Sequence, residues 1–262
     1  MRLAVPGVDW KRAATEFIVI AGGVFAGLAA DGWQEGRRNR AAEDAHLVDL
    51  RRDLAHDMDE FEIVLASIRS SERAAEEVGN AVAGRPIGYP DSLQLPIAVE
   101  QAGWLYLPVV ASHTYDEMLS TGDLRLLQNR QLKQQLSVYY SLARSNAQWH
   151  EDLRRWMRGY QDQVASLLDA DTRILIETNC CDPRAPVETD FLAGTAVSPV
   201  IARLRASPEL VRPLGEVRYA LARLGWTTEQ LRDQAALVIR ILDREIAGRG
   251  LDHPIDSGGG RS

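Results

Sequence analysis

One long run of apolar residues stands near the start of the chain. Residues 17–30 read FIVIAGGVFAGLAA and contain no charged side chain. This run is too short to cross a bilayer alone, but residues 13–33 would form about 30 Å of helix if Glu16 and Asp31 lay in the two headgroup layers. The pattern therefore predicts an N-terminal tail over 1–12 and a transmembrane helix over 13–33.

Two other interpretations of the apolar run stay open. A cleaved signal peptide would have the same basic start and apolar core, with a cleavage site near Ala30. A buried helix of a soluble protein is the other interpretation. The membrane span is favoured because Glu16 stands in front of the core and the helical pattern continues after Ala30.

Small residues inside the run predict a surface for helix packing. Gly23 and Gly27 form a G-x-x-x-G pair, and small side chains four residues apart let a second helix approach closely. Both are therefore candidate positions for transmembrane packing. Composition alone also produces such pairs, because glycine is frequent in spanning helices.

The chain after this run follows a heptad pattern. Between Gln34 and Ala83 there is no proline, and apolar residues recur every three or four positions at Leu47, Leu50, Leu54, Met58, Phe61, Leu65 and Ile68. This is the spacing of a coiled-coil helix. We predict a long helix over 34–83 that continues directly from the membrane span.

A proline-rich connector follows the first long helix. Residues 84–111 include Pro86, Pro90, Pro96 and Pro108, which predicts a reversal of the chain with at most one short helix. Ser112 would then cap a helix over 113–121, and Gly122 would end it in the left-handed conformation.

A second long helix is predicted over 129–176, again a stretch without proline. Its apolar seam keeps a strict heptad repeat from Leu132 to Leu167, with two polar members, Asn146 and His150. A buried asparagine would fix the register of a bundle. His150 is expected to pair with a neighbour, and a ligand-binding or pH-sensing role is the alternative.

The last third returns to helix after a loop over 178–199. Apolar spacing predicts C-terminal helices within 208–247, interrupted at Gly225, and then a flexible tail over 249–262. The pattern as a whole predicts an all-α protein. Its N-terminal transmembrane helix would continue into an elongated antiparallel bundle over 34–248, built on coiled-coil-like long helices.

Charge and cysteine content narrow the function classes. The chain has 30 basic and 37 acidic residues, a net charge of −7, which argues against a nucleic-acid partner because phosphate binding needs an excess of lysine and arginine. The two cysteines, Cys180 and Cys181, are too few for a disulfide scaffold or a cysteine-rich zinc module. As neighbours in a loop, they are expected to be free or intermolecular thiols.

Two carboxylate–histidine pairs are the main candidates for metal chemistry. Glu43 and His46, and likewise Asp53 and His56, have the spacing found in diiron bundles, where each pair comes from a different helix. Here both pairs lie on one predicted helix, about 15 Å apart, so we interpret them as a solvated face beside the leucine seam. No nucleotide-binding or nucleophile motif is found, and we predict no cofactor and no catalytic residue.

Residues beside the apolar run carry a family resemblance. Trp33, Gln34, Glu35 and Arg37, followed by an acidic amphipathic helix, resemble an uncharacterised bacterial family of single-pass, membrane-anchored helical proteins. Its members carry a W-N-E-x-R-like motif beside the span. This chain departs from that motif at Gln34, where asparagine is usual.

A second stretch extends the resemblance. Residues 113–127, HTYDEMLSTGDLRLL, are similar to the family's second signature and include Tyr115 and Gly122. The resemblance implies a bacterial inner-membrane protein whose body lies on the periplasmic side, whereas the arginines after the span favour a cytoplasmic body. It implies no catalytic residue, because the family has no assigned activity.

These patterns favour a membrane-anchored helical protein that acts as a non-enzymatic scaffold or accessory subunit. The expected partners are the lipid bilayer and, through the transmembrane helix and the bundle, a second copy or another membrane protein. A ligand-sensing bundle with a small-molecule pocket near Asn146 and His150 is the alternative. An enzyme with an unrecognised site is the third hypothesis.

Overall fold

The computed structural model describes residues 10–251, apart from the side chains of 10–16, 18–20, Gly22 and Ala26. Over this range the chain is all-helical and has no strand, so the predicted all-α class is confirmed. Its α-helices are α1 Trp10–Val82, α2 Gln94–Gln101, α3 His113–Thr121, α4 Arg130–Gln148, α5 His150–Leu167, α6 Ala170–Asn179, α7 Val197–Arg205 and α8 Val211–Gly248. Residues 1–9 and 252–262, which hold most of both predicted tails, lie outside the described residues.

Helix α1 is unbroken over 73 residues, a length on the order of 110 Å. It joins the predicted segments 13–33 and 34–83 into one helix. From Glu43 onward one face of α1 is buried against the bundle, whereas the described side chains from Gly23 to Ala41 are exposed, except for half-buried Gly36. We call residues 10–41 the free segment.

The predicted transmembrane helix is not supported by the described residues. No helix among them contains a stretch that is both long and apolar enough to cross a membrane. Much of the predicted span, 13–33, falls on residues whose side chains lie outside the description.

Helix α8 packs antiparallel to α1. Two ion pairs near the C-terminal end of α8 define the register: Arg249 meets Glu43 at 2.8 Å, and Arg51 meets Asp243 at 2.7 Å. Farther along the contact, Gly225 of α8 lies beside Ile68 of α1, and burial of the apolar surface between the two helices is the main source of stability.

The α4–α5 pair lies along another side of α8, also antiparallel to it. Asn129, at the start of α4, donates to Glu245 near the end of α8, and the Trp156 ring lies edge-on to that of Tyr219, with centroids 5.0 Å apart. Helix α8 therefore contacts α1 on one side and α4–α5 on the other, so it holds the bundle together.

The predicted helix over 129–176 is wrong in its continuity, because the structure divides it into α4, α5 and α6. At Trp149 the backbone stays near-helical, with φ −80° and ψ −11°, so α4 and α5 meet at a bend. Leu168 is extended, and Asp169 then starts α6 by accepting a hydrogen bond from the Thr172 amide at 2.9 Å. Such side-chain capping is a local helix-start signal.

The C-terminal prediction also differs from the structure. Helix α8 passes through Gly225 without a break, where a β-carbon would make only an ordinary contact, 3.8 Å from Ile68. The Thr227 hydroxyl donates to carbonyls of the preceding turn, within the same continuous helix. The predicted flexible tail over 249–262 begins too early, because Arg249 is bonded to Glu43 of α1. The predicted loop over 178–199 ends too late, because α7 begins at Val197.

Buried apolar side chains form two clusters, one on each side of the α4–α5 bend. The near cluster adjoins the free segment and includes Leu47, Leu54, Phe61, Leu132, Tyr139, Leu231 and Leu242. The far cluster includes Val64, Ile97, Met157, Tyr160, Leu204, Val217 and Leu224. On α8 the boundary between them holds Thr227 and Thr228, and the buried Thr228 hydroxyl has no hydrogen-bond partner within 10–251.

Candidate functional site

The free segment exposes large apolar side chains. Phe17, Val24, Phe25, Leu28 and Trp33 are each more than half exposed. Gly23 and Gly27 lie among them, and a β-carbon added at either glycine would meet nothing within 4 Å. The predicted packing surface is therefore open in this chain, with no contact from the bundle.

The residues of the family resemblance lie in two separate places. Trp33, Glu35 and Arg37 are exposed on the free segment, where the Arg37 guanidinium lies 5.1 Å from the Trp33 ring centroid. Tyr115 is buried on α3 with its ring stacked on Tyr140 at 4.2 Å, and Gly122 ends α3 with φ +79°. The structure does not bring the two sets together.

A buried carboxylate joins three parts of the chain at the base of the free segment. Glu43 is 1% exposed, accepts a hydrogen bond from the Gln128 amide at 2.8 Å, and pairs with the Arg249 guanidinium at 2.8 Å. Burial opposes ionisation of Glu43, but the hydrogen bonds from Arg249 and Gln128 together hold its pKa below the ordinary value. Glu43 therefore stays ionised inside the protein.

A second buried carboxylate has no cationic partner of this kind. Asp57 is fully buried; it accepts hydrogen bonds from the Tyr139 hydroxyl at 2.6 Å and the Ala111 amide at 2.7 Å. Burial outweighs these bonds and raises the pKa of Asp57 to about 6. The sequence analysis missed Asp57, because nothing local distinguishes it from the exposed acids of α1.

The predicted solvated face on α1 is wrong for Glu43, which is buried, and right for His56, which is exposed, whereas Asp53 and His46 contact neighbouring segments. Asp53 accepts a 3.3 Å hydrogen bond from the Thr114 amide, and His46 lies 3.7 Å from an Asp123 oxygen. Within residues 10–251 no three metal-ligating side chains converge. The face mainly secures the start of α3 and the turn after it.

Asn146 and His150 line one cavity beside the α4–α5 bend. The cavity measures about 350 Å³, and its wall combines the connector, α3, α4, α5 and α8, with Pro108, Val110, Asp116, Tyr140, Ala143, Asn146, His150 and Leu231. Both predicted seam residues are half-buried. They do not lie inside an apolar core, as a heptad seam predicts, but at its edge.

The polar groups of this cavity are only partly engaged. The Asn146 amide nitrogen lies 3.5 Å from the Thr227 carbonyl, a long hydrogen bond. Burial, with a smaller effect of the Arg154 charge, lowers the pKa of His150, so the ring is neutral at pH 7. Asp116 accepts a hydrogen bond from the Ser112 hydroxyl at 2.7 Å. The predicted cap is therefore wrong in its partner, because a capping Ser112 side chain would bond to the helix backbone.

The connector separates this cavity from a larger groove. Leu107 and Val109 line the groove, which measures about 810 Å³, whereas Pro108 and Val110 line the smaller cavity. Alternation of this kind is typical of an extended chain. Ala111 fixes the connector in place, because its amide binds Asp57 and its carbonyl accepts from the Tyr140 hydroxyl at 3.3 Å.

The two cysteines lie in the loop after α6. Cys180 and Cys181 are both half-buried there, and their state as free or intermolecular thiols stays a prediction.

No family model matches this chain, and no curated protein and no solved structure matches it significantly.

Proposed function

We propose that this protein is a membrane-anchored helical interaction protein of the bacterial inner membrane, in which the free segment attaches the bundle to a bilayer. The observation that carries the proposal is the exposure of Phe17, Val24, Phe25 and Leu28 on a helix that no other part of the described chain covers. An exposed apolar surface of this kind is stable in water only when something covers it.

The sequence of the free segment supports lipid as that cover. No charged residue occurs between Glu16 and Asp31, and residues 13–33 are about as long as a bilayer core is thick. Trp33, with Arg37 above its ring, has the amphipathic character of residues at a membrane interface. The bundle would begin at Glu43, beyond this interface.

The bundle itself is proposed as a non-enzymatic scaffold or accessory subunit. Gly23 and Gly27 would let a second copy or another membrane helix pack against the free segment.

The arginines after the span favour a cytoplasmic bundle, whereas the family resemblance favours a periplasmic one. Protease digestion of intact spheroplasts would decide which side of the membrane the bundle occupies.

Carbonate extraction of membranes tests the anchor with the full-length chain. The wild-type protein is expected in the pellet, and a double variant, Val24→Arg with Leu28→Arg, in the wash, because charges near the centre of a span are costly. The matched control is Val211→Arg with Val138→Arg, which places the same two charges at exposed apolar positions of α8 and α4. Wild-type protein in the wash would overturn the proposed anchor.

Cross-linking in detergent tests the packing surface separately. Gly23→Leu with Gly27→Leu is expected to remove a cross-linked dimer or partner band and to leave the protein in the carbonate pellet, because leucine keeps the helix apolar but blocks close approach. Gly32→Leu is the control, since Gly32 also has nothing within 4 Å but lies outside the pair. An unchanged band pattern in the double variant would exclude this surface.

A further inference from the structure

The cavity beside the α4–α5 bend lies at the end of the near cluster, whose residues Tyr140 and Leu231 form part of its wall. The near cluster reaches Leu231 on α8, and the far cluster begins again at Leu224. Between them α4 presents Ala143 and Ala147, whose side chains are too short to reach the connector. The remaining space of about 350 Å³ is within the range of small-molecule sites in proteins.

The charged groups at the rim of the cavity do not favour a charged ligand. Asp116 lies 3.5 Å from the Arg144 guanidinium and accepts from Ser112, so its charge is already compensated. An added carboxylate would meet Asp116, and an added ammonium would meet Arg144. Transfer of an unpaired charge into such a site is unfavourable.

The other two polar side chains that line the cavity, Asn146 and His150, can form hydrogen bonds with a ligand. The amide of half-buried Asn146 makes a long contact with the Thr227 carbonyl, and burial lowers the pKa of half-buried His150, so its ring is neutral at pH 7. A neutral imidazole has one donor and one acceptor, and an amide has both. Val110, Tyr140 and Leu231 complete an apolar wall around them.

We infer that this cavity binds an uncharged, mainly apolar small molecule that carries a hydroxyl or carbonyl group. The apolar body lies against Val110 and Leu231, and the oxygen pairs with Asn146 and His150. This site is independent of the membrane anchor, because it uses only bundle residues and none of the free segment.

Calorimetric titration of the full-length protein tests the site with three probes. The neutral probes are 4-hydroxyacetophenone and benzyl alcohol, and the charged match is 4-hydroxybenzoate. At least one neutral probe is expected to bind, and 4-hydroxybenzoate is expected to bind at least about tenfold more weakly than 4-hydroxyacetophenone, because its carboxylate loses water and the Arg144 guanidinium at the rim is already paired with Asp116.

Two cavity variants and one control locate the binding. Ala143→Phe fills the space and Asn146→Leu removes the amide, and each is expected to weaken the neutral probe at least about tenfold. Val138→Phe adds the same ring to an exposed position of α4 and should bind as the wild type does. If Ala143→Phe does not fold, Asn146→Leu decides.

Three results would overturn the inference. They are the absence of binding by both neutral probes, equal binding of the carboxylate and the ketone, and unchanged affinity in the folded cavity variants. A loss of binding in Val138→Phe as large as in Ala143→Phe would also overturn it, because the effect would then not come from the cavity. None of these results depends on whether the protein remains in a carbonate pellet.

Discussion

The near and far clusters both enclose polar groups, but of different kinds. The near cluster adjoins two ionisable carboxylates, Glu43 and Asp57, that are almost completely buried. In the far cluster the deepest polar contact is neutral, a 2.8 Å hydrogen bond from the buried Tyr160 hydroxyl to the Val99 carbonyl. Two carboxylates lie at its rim: Glu77 is 8% exposed and accepts a hydrogen bond from the Gly88 amide at 2.7 Å, and Glu100 pairs with Arg173 at 2.6 Å.

This difference separates the two clusters in how they respond to pH. Protonation changes the interactions of Glu43 and Asp57, whereas the Tyr160 bond is the same at all physiological pH values. The pKa shifts of the two carboxylates have opposite directions, because the pKa of Glu43 is lowered and that of Asp57 is raised. The near cluster therefore contains two almost completely buried carboxylates whose ionisation affects stability in opposite directions.

Loss of the Glu43 partner should have the largest effect. Arg249→Gln leaves the Glu43 carboxylate buried beside Asp44 without a cation, and we expect the free energy of unfolding at pH 7 to fall by about 3 kcal/mol, since one partner of a buried pair is removed. Chemical denaturation followed by circular dichroism measures this fall. Because the pKa of Glu43 is lowered, the contribution is present above its unfolded pKa and is lost as the pH falls below it.

The control for this variant is Arg244→Gln, which removes an equal charge from an exposed position of α8 that contacts no carboxylate within 10–251. It should change stability by less than about 0.5 kcal/mol. Hydrogen exchange sharpens the comparison, because Arg249→Gln should speed amide exchange in α4 more than in α5. Equal effects in both helices would contradict the division into two clusters.

Asp57→Asn should have the next largest effect. The stability of this variant relative to the wild type should increase as the pH rises. The folded pKa of about 6 exceeds the ordinary value of 3.8, so ionisation of Asp57 costs stability as the pH rises between these values. The cost is about 3 kcal/mol at most and is complete above pH 6. Asparagine keeps an oxygen for the Ala111 amide and carries no charge, so the variant should lack this cost.

The measurement is the difference in unfolding free energy between Asp57→Asn and wild type from pH 4 to pH 7.5. The difference should shift in favour of the variant as the pH rises. Asp59→Asn is the control at an exposed position of the same helix, and its difference should stay flat. A flat difference for Asp57→Asn would mean that its carboxylate is ordinary in the folded protein.

Tyr160→Phe should have the smallest effect and no dependence on pH. It leaves the buried Val99 carbonyl without its donor, which costs about 1 kcal/mol. Tyr219→Phe, at a side chain that is 60% exposed, should cost almost nothing. A Tyr160→Phe penalty that varies between pH 4 and pH 7.5 would show that the far cluster also contains a titrating group.

The sequence predicted those features of the fold that depend on neighbours in the chain. Helix α3 begins and ends where the pattern places it, because Gly122 gives a local stop signal. The all-α class follows from spacing in the same way. The cap of α6 was also readable, since Asp169 and Thr172 are three residues apart, but the stretch without proline continues past both residues and favoured a single helix.

The burial of the two carboxylates depends on distant partners and could not be read locally. Glu43 meets Arg249, which is 206 positions away, and Asp57 meets Ala111, which is 54 positions away. An acid beside a leucine seam has the same local pattern whether it faces water or a loop amide. The cavity at Asn146 and His150 was predicted as an alternative, because polar residues interrupt the seam there.

The unbroken length of α1 has a mechanical consequence. A helix without a hinge transmits a tilt of its first turns to its last ones as a lever does. From Ala41 to Val82 the lever arm is about 60 Å, so a 10° tilt of the free segment would move the far cluster by about 10 Å. Whatever holds the free segment therefore also sets the position and orientation of the opposite end of the molecule.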